Sequence, residues 1–487
     1  MEHEGVLGKA INAGKWSAFG MAAQKGMSLI SFFILARILV PEDYGVITIV
    51  LMLVGVLDTL STPGFEQALI QKKEDIVKYL DVLWTFNLFR ACIIFSAIFF
   101  GAPIIAHFFN ITDPIALSVL RWSGAITIIQ ALSNMGNIFF FKALDFKTLF
   151  YRDTGGQIAF SLVAIGWALW SPTAFALLFG YIAQNIISTI LQYYFHAYRP
   201  RFSFAFRRLH DLGSYGMWAM GQNILKQANS IVETVTVGRF LGTNDLGLYS
   251  HASSIASLPS SMLLSIVYKV GFPVYAKIQD ATEKITNGFL KSFDIMLAVT
   301  APFVVLILIE GDRIIQILLG NQWMSMATAM KILVIAFTLK GFSYITYPLF
   351  EGVGKIDVRF KVSLLQIILA TPLVIIGAQR YGIEGAALAI LISTSIIFLI
   401  TTWLSSRYLK LGFKDIQYSI GIVVGALCAM GIVAAPFYFF IQSTHTLYFT
   451  FLMSLLILTY SGFVMLIGSR FNTGAYQTFK LIFKTLI

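Results

Sequence analysis

The sequence predicts an all-α integral membrane protein of about 14 transmembrane helices, two pseudo-symmetric six-helix lobes around a central cavity plus two extra C-terminal helices. Composition, the placement of basic residues and an internal repeat point there. The chain is 57% hydrophobic and 12% charged, about half the charged fraction of a soluble protein. Apolar runs of about 20 residues, each able to cross a bilayer core, recur from end to end. The N-terminal MEHEGVLGKAINAGKW is polar and has no apolar signal core, so a cleaved signal peptide is not expected. Cys92 and Cys428 lie in apolar runs and read as small buried hydrophobes, outside any disulfide framework.

In chain order the spans are predicted at 16–39, 44–62, 82–105, 115–140, 149–170, 173–195, 214–239, 247–268, 288–309, 325–350, 360–379, 383–405, 418–440 and 446–468. Pro63 and Pro273 mark places where the helices of spans 2 and 8 stop or bend. The spans group into an N-terminal lobe over 1–198, a basic linker over 199–213, a C-terminal lobe over 214–406, and spans 13 and 14 with a basic tail over 407–487. RPRFSFAFRRLHDL (199–212) reads either as a short amphipathic helix on the membrane surface or as an ordinary basic linker.

With the N-terminus assigned to the cytoplasm, inside segments hold 25 of the 35 basic residues. Outside loops hold four, Arg37, Arg239, Arg313 and Arg380, and the other six, Lys25, Arg90, Arg121, Lys226, Lys331 and Lys340, fall at or near membrane depth. Such an alternation supports both the span count and cytoplasmic termini. The net charge of +11 is then topological. It implies no nucleic acid, and makes anionic lipid a natural neighbour.

Residues 14–45 and 216–247 align without gaps at an offset of 202. Gly14/Gly216, Trp16/Trp218, Ser28/Ser230, Arg37/Arg239, Leu39/Leu241, Asp43/Asp245 and Gly45/Gly247 coincide, where about two identities are expected from average residue frequencies. GFEQALIQ (64–71) and GFPVYAKIQ (271–279) extend the match. Spans 1–6 and 7–12 thus read as parallel repeats related by an axis along the membrane normal. Lys25 and Lys226 sit in the opening span of each repeat. An intramembrane lysine either lines a polar cavity or snorkels within a packed bundle. Two such lysines in related halves favour a transporter cavity.

The segments LARILVPEDYGVITIV (35–50), GFEQALIQKKED (64–75) and LLGNQWMSMATAMKILVIAF (318–337) carry a family resemblance. They are similar to Wzx-type polysaccharide flippases of the multidrug/oligosaccharidyl-lipid/polysaccharide superfamily, nearest the colanic acid and teichuronic acid exporter-like branch. The turn also has a local reading. Pro41 ends span 1, Glu42 and Asp43 can cap span 2, and Gly45 permits close packing. Asp43 can pair with Arg37, and the second copy keeps Arg239, Asp245 and Gly247. A structural clamp is favoured over substrate contact.

The resemblance implies alternating access between two lobes. The substrate would be an undecaprenyl-diphosphate-linked oligosaccharide unit, flipped from the inner to the outer leaflet for polysaccharide export. Polysaccharide polymerases and glycosyltransferases would be its neighbours in the pathway, and membrane lipids its surroundings. Such a dianionic head needs a hydrated cationic path, which makes Lys25 and Lys226 the first diphosphate ligands. Arg90, Arg121, Lys331 and Lys340 rank second. Gln24, Gln130, Asn134, Gln222, Asn223, Gln227 and Asn229 offer amides to sugar hydroxyls, although helix–helix hydrogen bonding is the plainer role for each alone.

Glu233, Asp58 and Asp294 are carboxylates placed within spans. Glu233 lies seven residues after Lys226, on the same helical face. Coupling to H+ or Na+ and uncoupled transport both stay open. No other cofactor and no metal site is expected. The six histidines lack ligand spacing, no P-loop pattern occurs, and the loops are too short to carry a catalytic domain. This argues against a membrane glycosyltransferase or polymerase. A drug/cation antiporter of the same superfamily would favour an acidic, aromatic cavity and usually twelve spans.

Overall fold

A computed structural model describes residues 2–62, 64–72, 76–143, 145–277 and 281–411, and beyond these 421, 423–429, 431–432, 454–455 and 458–464. Every regular element among the described residues is helical. The chain divides into two compact units, Met1–Ser250 with Leu318–Gln322, and His251–Ile317 with Trp323–Ile487. Eight stretches among the described residues are long and apolar enough to cross a membrane: Phe19–Ile38, Pro41–Ser61, Val77–Phe108, Pro114–Ala131, Ala174–Phe195, Glu283–Leu318, Asn321–Gly352 and Asp357–Leu409.

In the first unit, α1 (Glu2–Ile38) starts well before the apolar run that suggested it. α2 (Pro41–Ser61) opens with Pro41 in its first turn, where a missing N–H costs nothing, and Asp43 Oδ2 accepts from the Val40 N–H at 3.2 Å. α2 stops two residues short of Pro63, which lies outside the described residues. The short α3 (Phe65–Gln71) leads to α4 (Val77–Phe108). Span 4 is found at Pro114–Ala131 and ends short of the limit that its hydropathy suggests. It comprises α5 (Pro114–Ser123) and α6 (Ala125–Ala131), and α7 (Asn137–Ala143) follows. Gly124 parts α5 from α6 where the chain passes α4 so closely that a Cβ would lie 2.9 Å from Phe95 Cα. The Asn134 side chain then accepts from the Gly136 N–H and holds the turn before α7.

Two long helices follow, α8 (Phe146–Trp170), capped by the Asp145 carboxylate, and α9 (Ala174–Phe195). Gly156 lets them meet, since a Cβ there would lie 2.3 Å from Ser188 Oγ. The linker corrects the amphipathic-helix reading: residues 196–205 have no helical structure, and only Phe206–Leu212 forms a 3-10 helix. It is strapped along the first half of α4. The Arg201 N–H donates to Asp81, the Ser203 N–H to Thr85 Oγ1, and the Trp84 and Phe202 rings pack edge to face. α10 (Gly213–Leu241) and the start of α11 (Thr243–Lys277) complete the unit. α11 remains helical through position 273 and ends at Lys277.

The second unit contains the rest of α11, α12 (Thr282–Leu318) up to Ile317, α13 (Ala327–Gly352) and α14 (Ile356–Leu409). α14 is two helices that fold back on each other at Tyr381 and Gly382, whose φ of +61° suits glycine, and a Cβ on Gly377 would lie 2.3 Å from the Gly385 carbonyl oxygen. These halves correspond to spans 11 and 12. Spans 13 and 14 lie mostly outside the described residues. Their described parts pack on α12: Tyr460 Oη donates to the Ala298 carbonyl, and Val423, Ala426 and Val464 join Ala301 and Leu306 in one buried cluster. Cys92 and Cys428 are free and exposed, not buried as expected, since each faces outward from its helix.

Candidate transport site

The first unit encloses a polar cavity of about 460 Å³. It forms where the Asp58 end of α2, the start of α4, the α6–α7 turn, the start of α8 and the end of α9 converge. Asp58 and Arg90, both anticipated, meet here in an ion pair of 2.6 Å. Arg90 Nη1 also donates to Ser61 Oγ at 3.0 Å and Thr62 Oγ1 at 2.6 Å. Gln130 lines the cavity wall too. Thr59, another wall residue, accepts from Gln227 Nε2 at 2.5 Å, which ties α10 to α2.

Several wall residues were not anticipated. Arg152 pairs with Asp153 at 2.5 Å and donates to Asn137 Oδ1 at 2.8 Å. Glu66 is exposed at the cavity wall. Its carboxyl is pushed above the usual range, chiefly by loss of solvent and then by the Asp58 charge, against the opposing pull of Arg90 and Arg152. Asn185, Ser188, Thr189 and Gln192 of α9 complete the polar lining. Their spacing was a readable signal, because i, i+3, i+4 and i+7 make one polar stripe along an apolar span. The ion pairs Asp58–Arg90 and Asp153–Arg152, the Glu66 carboxyl and several amides suit binding of a polyhydroxylated or charged polar group.

The remaining candidates are dispersed. Lys25 is exposed on α1 and Gln24 half-exposed beside it. Lys226, Gln222, Asn223 and Asn229 lie on α10, and their side chains are outside the described set. Asn134 is buried and committed: its Nδ2 donates to the Tyr198 carbonyl at 2.9 Å, and its backbone N–H to Gln192 Oε1 at 3.0 Å. Arg121 is half-buried in the last turn of α5. Glu233 accepts from Tyr249 Oη at 3.1 Å. In the second unit Lys331 pairs with Asp312 at 2.6 Å, the Lys340 ammonium lies over the Phe337 and Tyr344 rings, and Asp294 is half-buried on α12.

The repeated turn is a reciprocal clasp. A Cβ on Gly45 would come within 1.8 Å of the Thr243 carbonyl oxygen, and one on Gly247 within 1.8 Å of the Pro41 carbonyl oxygen. Thr243 and Gly247 stand in the second copy where Pro41 and Gly45 stand in the first. Each copy therefore lays its glycine on the other's first-turn carbonyl, and α2 and α11 touch backbone to backbone. The arginines follow the same rule. Arg37 Nε donates to the Leu318 carbonyl at 3.3 Å, and Arg239 Nη1 to Asn110 Oδ1 at 2.8 Å, so each secures the loop after a distant helix. Gln322 Nε2 adds bonds to the Ala36 and Leu39 carbonyls. Asp43 caps its own helix and also accepts from the Ala174 N–H at the start of α9. Asp245 occupies the first turn of α11.

Apolar helices enclosing a charged cavity define a multi-pass membrane transporter. The chain belongs to the family described as "Polysaccharide biosynthesis protein", which matches residues 34–328. The Wzx-type resemblance is thereby shown. The chain is 26% identical over 438 residues to the lipopolysaccharide biosynthesis protein WzxC of Escherichia coli K12, covering 85% of this chain and 88% of the relative. It is 23% identical over 377 residues to the teichuronic acid biosynthesis protein TuaB of Bacillus subtilis, covering 76% and 77%. Among solved structures, the lipid II flippase MurJ in an inward closed conformation aligns with a TM-score of 0.69 at 15% identity, over 95% of this chain and 99% of that one. An inward-facing multidrug resistance MATE transporter aligns with a TM-score of 0.64 at 13% identity, over 80% and 94%. These two establish a shared fold.

Proposed function

We propose that the protein flips an undecaprenyl-diphosphate-linked oligosaccharide unit from the inner to the outer leaflet of the bacterial inner membrane, for export of a polysaccharide. The carrying observation is the polar cavity of the first unit, a hydrated site for a sugar head within apolar helices. The names of the relatives, in lipopolysaccharide and teichuronic acid biosynthesis, support the substrate class. In this reading the chain crosses the membrane 14 times with both termini cytoplasmic, as two six-helix lobes and two added helices. Lys25 and Lys226 supply positive charge for the diphosphate on its path. The Asp58–Arg90–Glu66 group is the first place to seek H+ or Na+ coupling, ahead of Glu233 and Asp294. Polymerases and glycosyltransferases of the same pathway act before and after the flip.

The reading is tested by removing the protein and assaying the lipid-linked oligosaccharide on each side of the membrane. Accumulation in the inner leaflet, reversed by the wild-type chain, supports it. A normal distribution contradicts it. The carboxylate-rich cavity also fits a drug/cation antiporter, and efflux of a cationic dye that depends on Asp58 and Glu66 would favour that alternative.

A further inference from the structure

A second cavity lies beside the first and differs in kind. It is an apolar groove of about 290 Å³ formed by Phe86, Phe89, Ile93, Ile94 and Phe206, with Ser61 and Arg90. Arg90 lines both cavities. Phe89 and Ile93 are 51% and 70% exposed, so the groove opens to the outside of the unit. The Arg90 guanidinium is mostly buried. Its Nη1 is engaged by Asp58, Ser61 and Thr62, while its buried Nε–H has no acceptor among the described residues. A buried N–H without a partner is uncommon and points to a missing acceptor.

The strap above the groove adds a second feature. Phe202, Phe204 and Phe206 alternate along it and are all exposed, and the Phe204 ring lies 6.1 Å from Phe89 and 6.2 Å from Phe206. Arg201, Arg207 and Arg208 are exposed on the same segment. Aromatic rings beside arginines are the composition of a membrane–water interface that attracts anionic headgroups. An apolar slot, a cation with a free donor and a polar cavity thus follow one another. That order matches an amphiphile with a hydrocarbon chain, an anionic junction and a polar head.

We propose that this groove seats the hydrocarbon chain of a polyprenyl-diphosphate lipid, whose phosphate meets Arg90 and whose head enters the polar cavity. The inference rests on the flippase reading for the identity of that lipid. A phosphate oxygen would accept from Arg90 Nε, and the basic strap would hold the lipid while the head passes. Ordinary bilayer lipid would need neither the arginine nor the adjoining polar cavity.

The test uses the full-length protein in nanodiscs with a benzophenone-bearing undecaprenyl diphosphate. Crosslinks should map to Phe86–Ile94 and Phe206. They should fall by about tenfold in Ile93→Trp, which fills the slot, as expected when a well-packed pocket is blocked. Ile376→Trp, on an exposed face of the second unit, should leave them unchanged. Arg90→Lys should retain part of the labelling. The proposal is overturned if labelling is spread evenly over exposed helices or survives Ile93→Trp. It is also overturned if benzophenone-bearing undecaprenol or phosphatidylglycerol labels the groove equally well. If the groove labels as expected while cells lacking the protein keep a normal leaflet distribution of lipid-linked oligosaccharide, the site stands and the flippase reading falls.

Discussion

Gly45 and Gly247 show how much a single residue can decide. Each lies against a backbone carbonyl that cannot swing away. Gly45→Ala and Gly247→Ala should each destabilise the protein by about 1–3 kcal/mol through overpacking, and the double variant should cost less than the sum because both sites share one contact. Gly26 and Gly166 have nothing within 4 Å of a built Cβ, so alanine there should be neutral or better. Thermal unfolding in detergent separates the two pairs. Glu66 offers a pH-linked prediction. Its pKa is raised above 4.5 in the folded protein, so the folded state holds the proton more tightly than the unfolded chain. Its contribution to stability is therefore greatest below the ordinary value and is lost as pH rises through the raised one. Glu66→Gln should flatten that loss above the ordinary carboxylate range. An identical pH slope in both proteins would show that Glu66 is not the titrating group. Of the site, Asp58, Arg90 and Gln130 were legible as polar residues in apolar spans. Glu66 and Arg152 were not, because near a span end a charge reads first as ordinary solvation and only the fold shows that it turns inward.

At the scale of elements, the repeated turn was the clearest sequence signal, and its chemistry explains why. Acid and glycine at fixed spacing serve the first turn and a close approach at once, so Asp43 and Gly45 return as Asp245 and Gly247, while Thr243 replaces Pro41. The lysines repeat less strictly. At the offset of 202, Lys25 aligns with Gln227 and Lys226 with Gln24, a one-residue displacement that turns a helical side chain by about 100°. Span 4 starts where it is predicted but ends at Ala131, because hydropathy is blind to the turn that Asn134 makes inside an apolar run. The linker stayed open between two readings because its period-two phenylalanines sit among arginines and resemble an amphipathic helix in composition, while the backbone bonds to Asp81 and Thr85 hold it extended. Asp81→Ala removes the acceptor for the Arg201 N–H and Tyr198 Oη. It should loosen the strap, seen as faster hydrogen exchange over 198–205 with exchange in α9 unchanged.

At the scale of the whole molecule, the account rests on orientation and on transport. The 25-to-4 division of basic residues predicts that single cysteines in 199–212, introduced after replacing Cys92 and Cys428, react only when reagent reaches the cytoplasm. Reaction from outside would overturn the orientation. The unit boundary at Ser250 was not legible, since it depends on where α11 packs and not on composition. A lysine at bilayer depth costs about 2.5–3.5 kcal/mol on insertion scales, so Lys25→Ala should leave the protein inserted at wild-type level while transport falls. The most direct test of the central claim is the leaflet distribution of lipid-linked oligosaccharide in cells carrying the wild type or the Lys25→Ala, Lys226→Ala double variant, at matched protein level. The flippase account predicts build-up in the inner leaflet with the double variant and clearance with the wild type. Equal clearance by both would contradict the cationic path, and no build-up even without the protein would contradict the flippase itself.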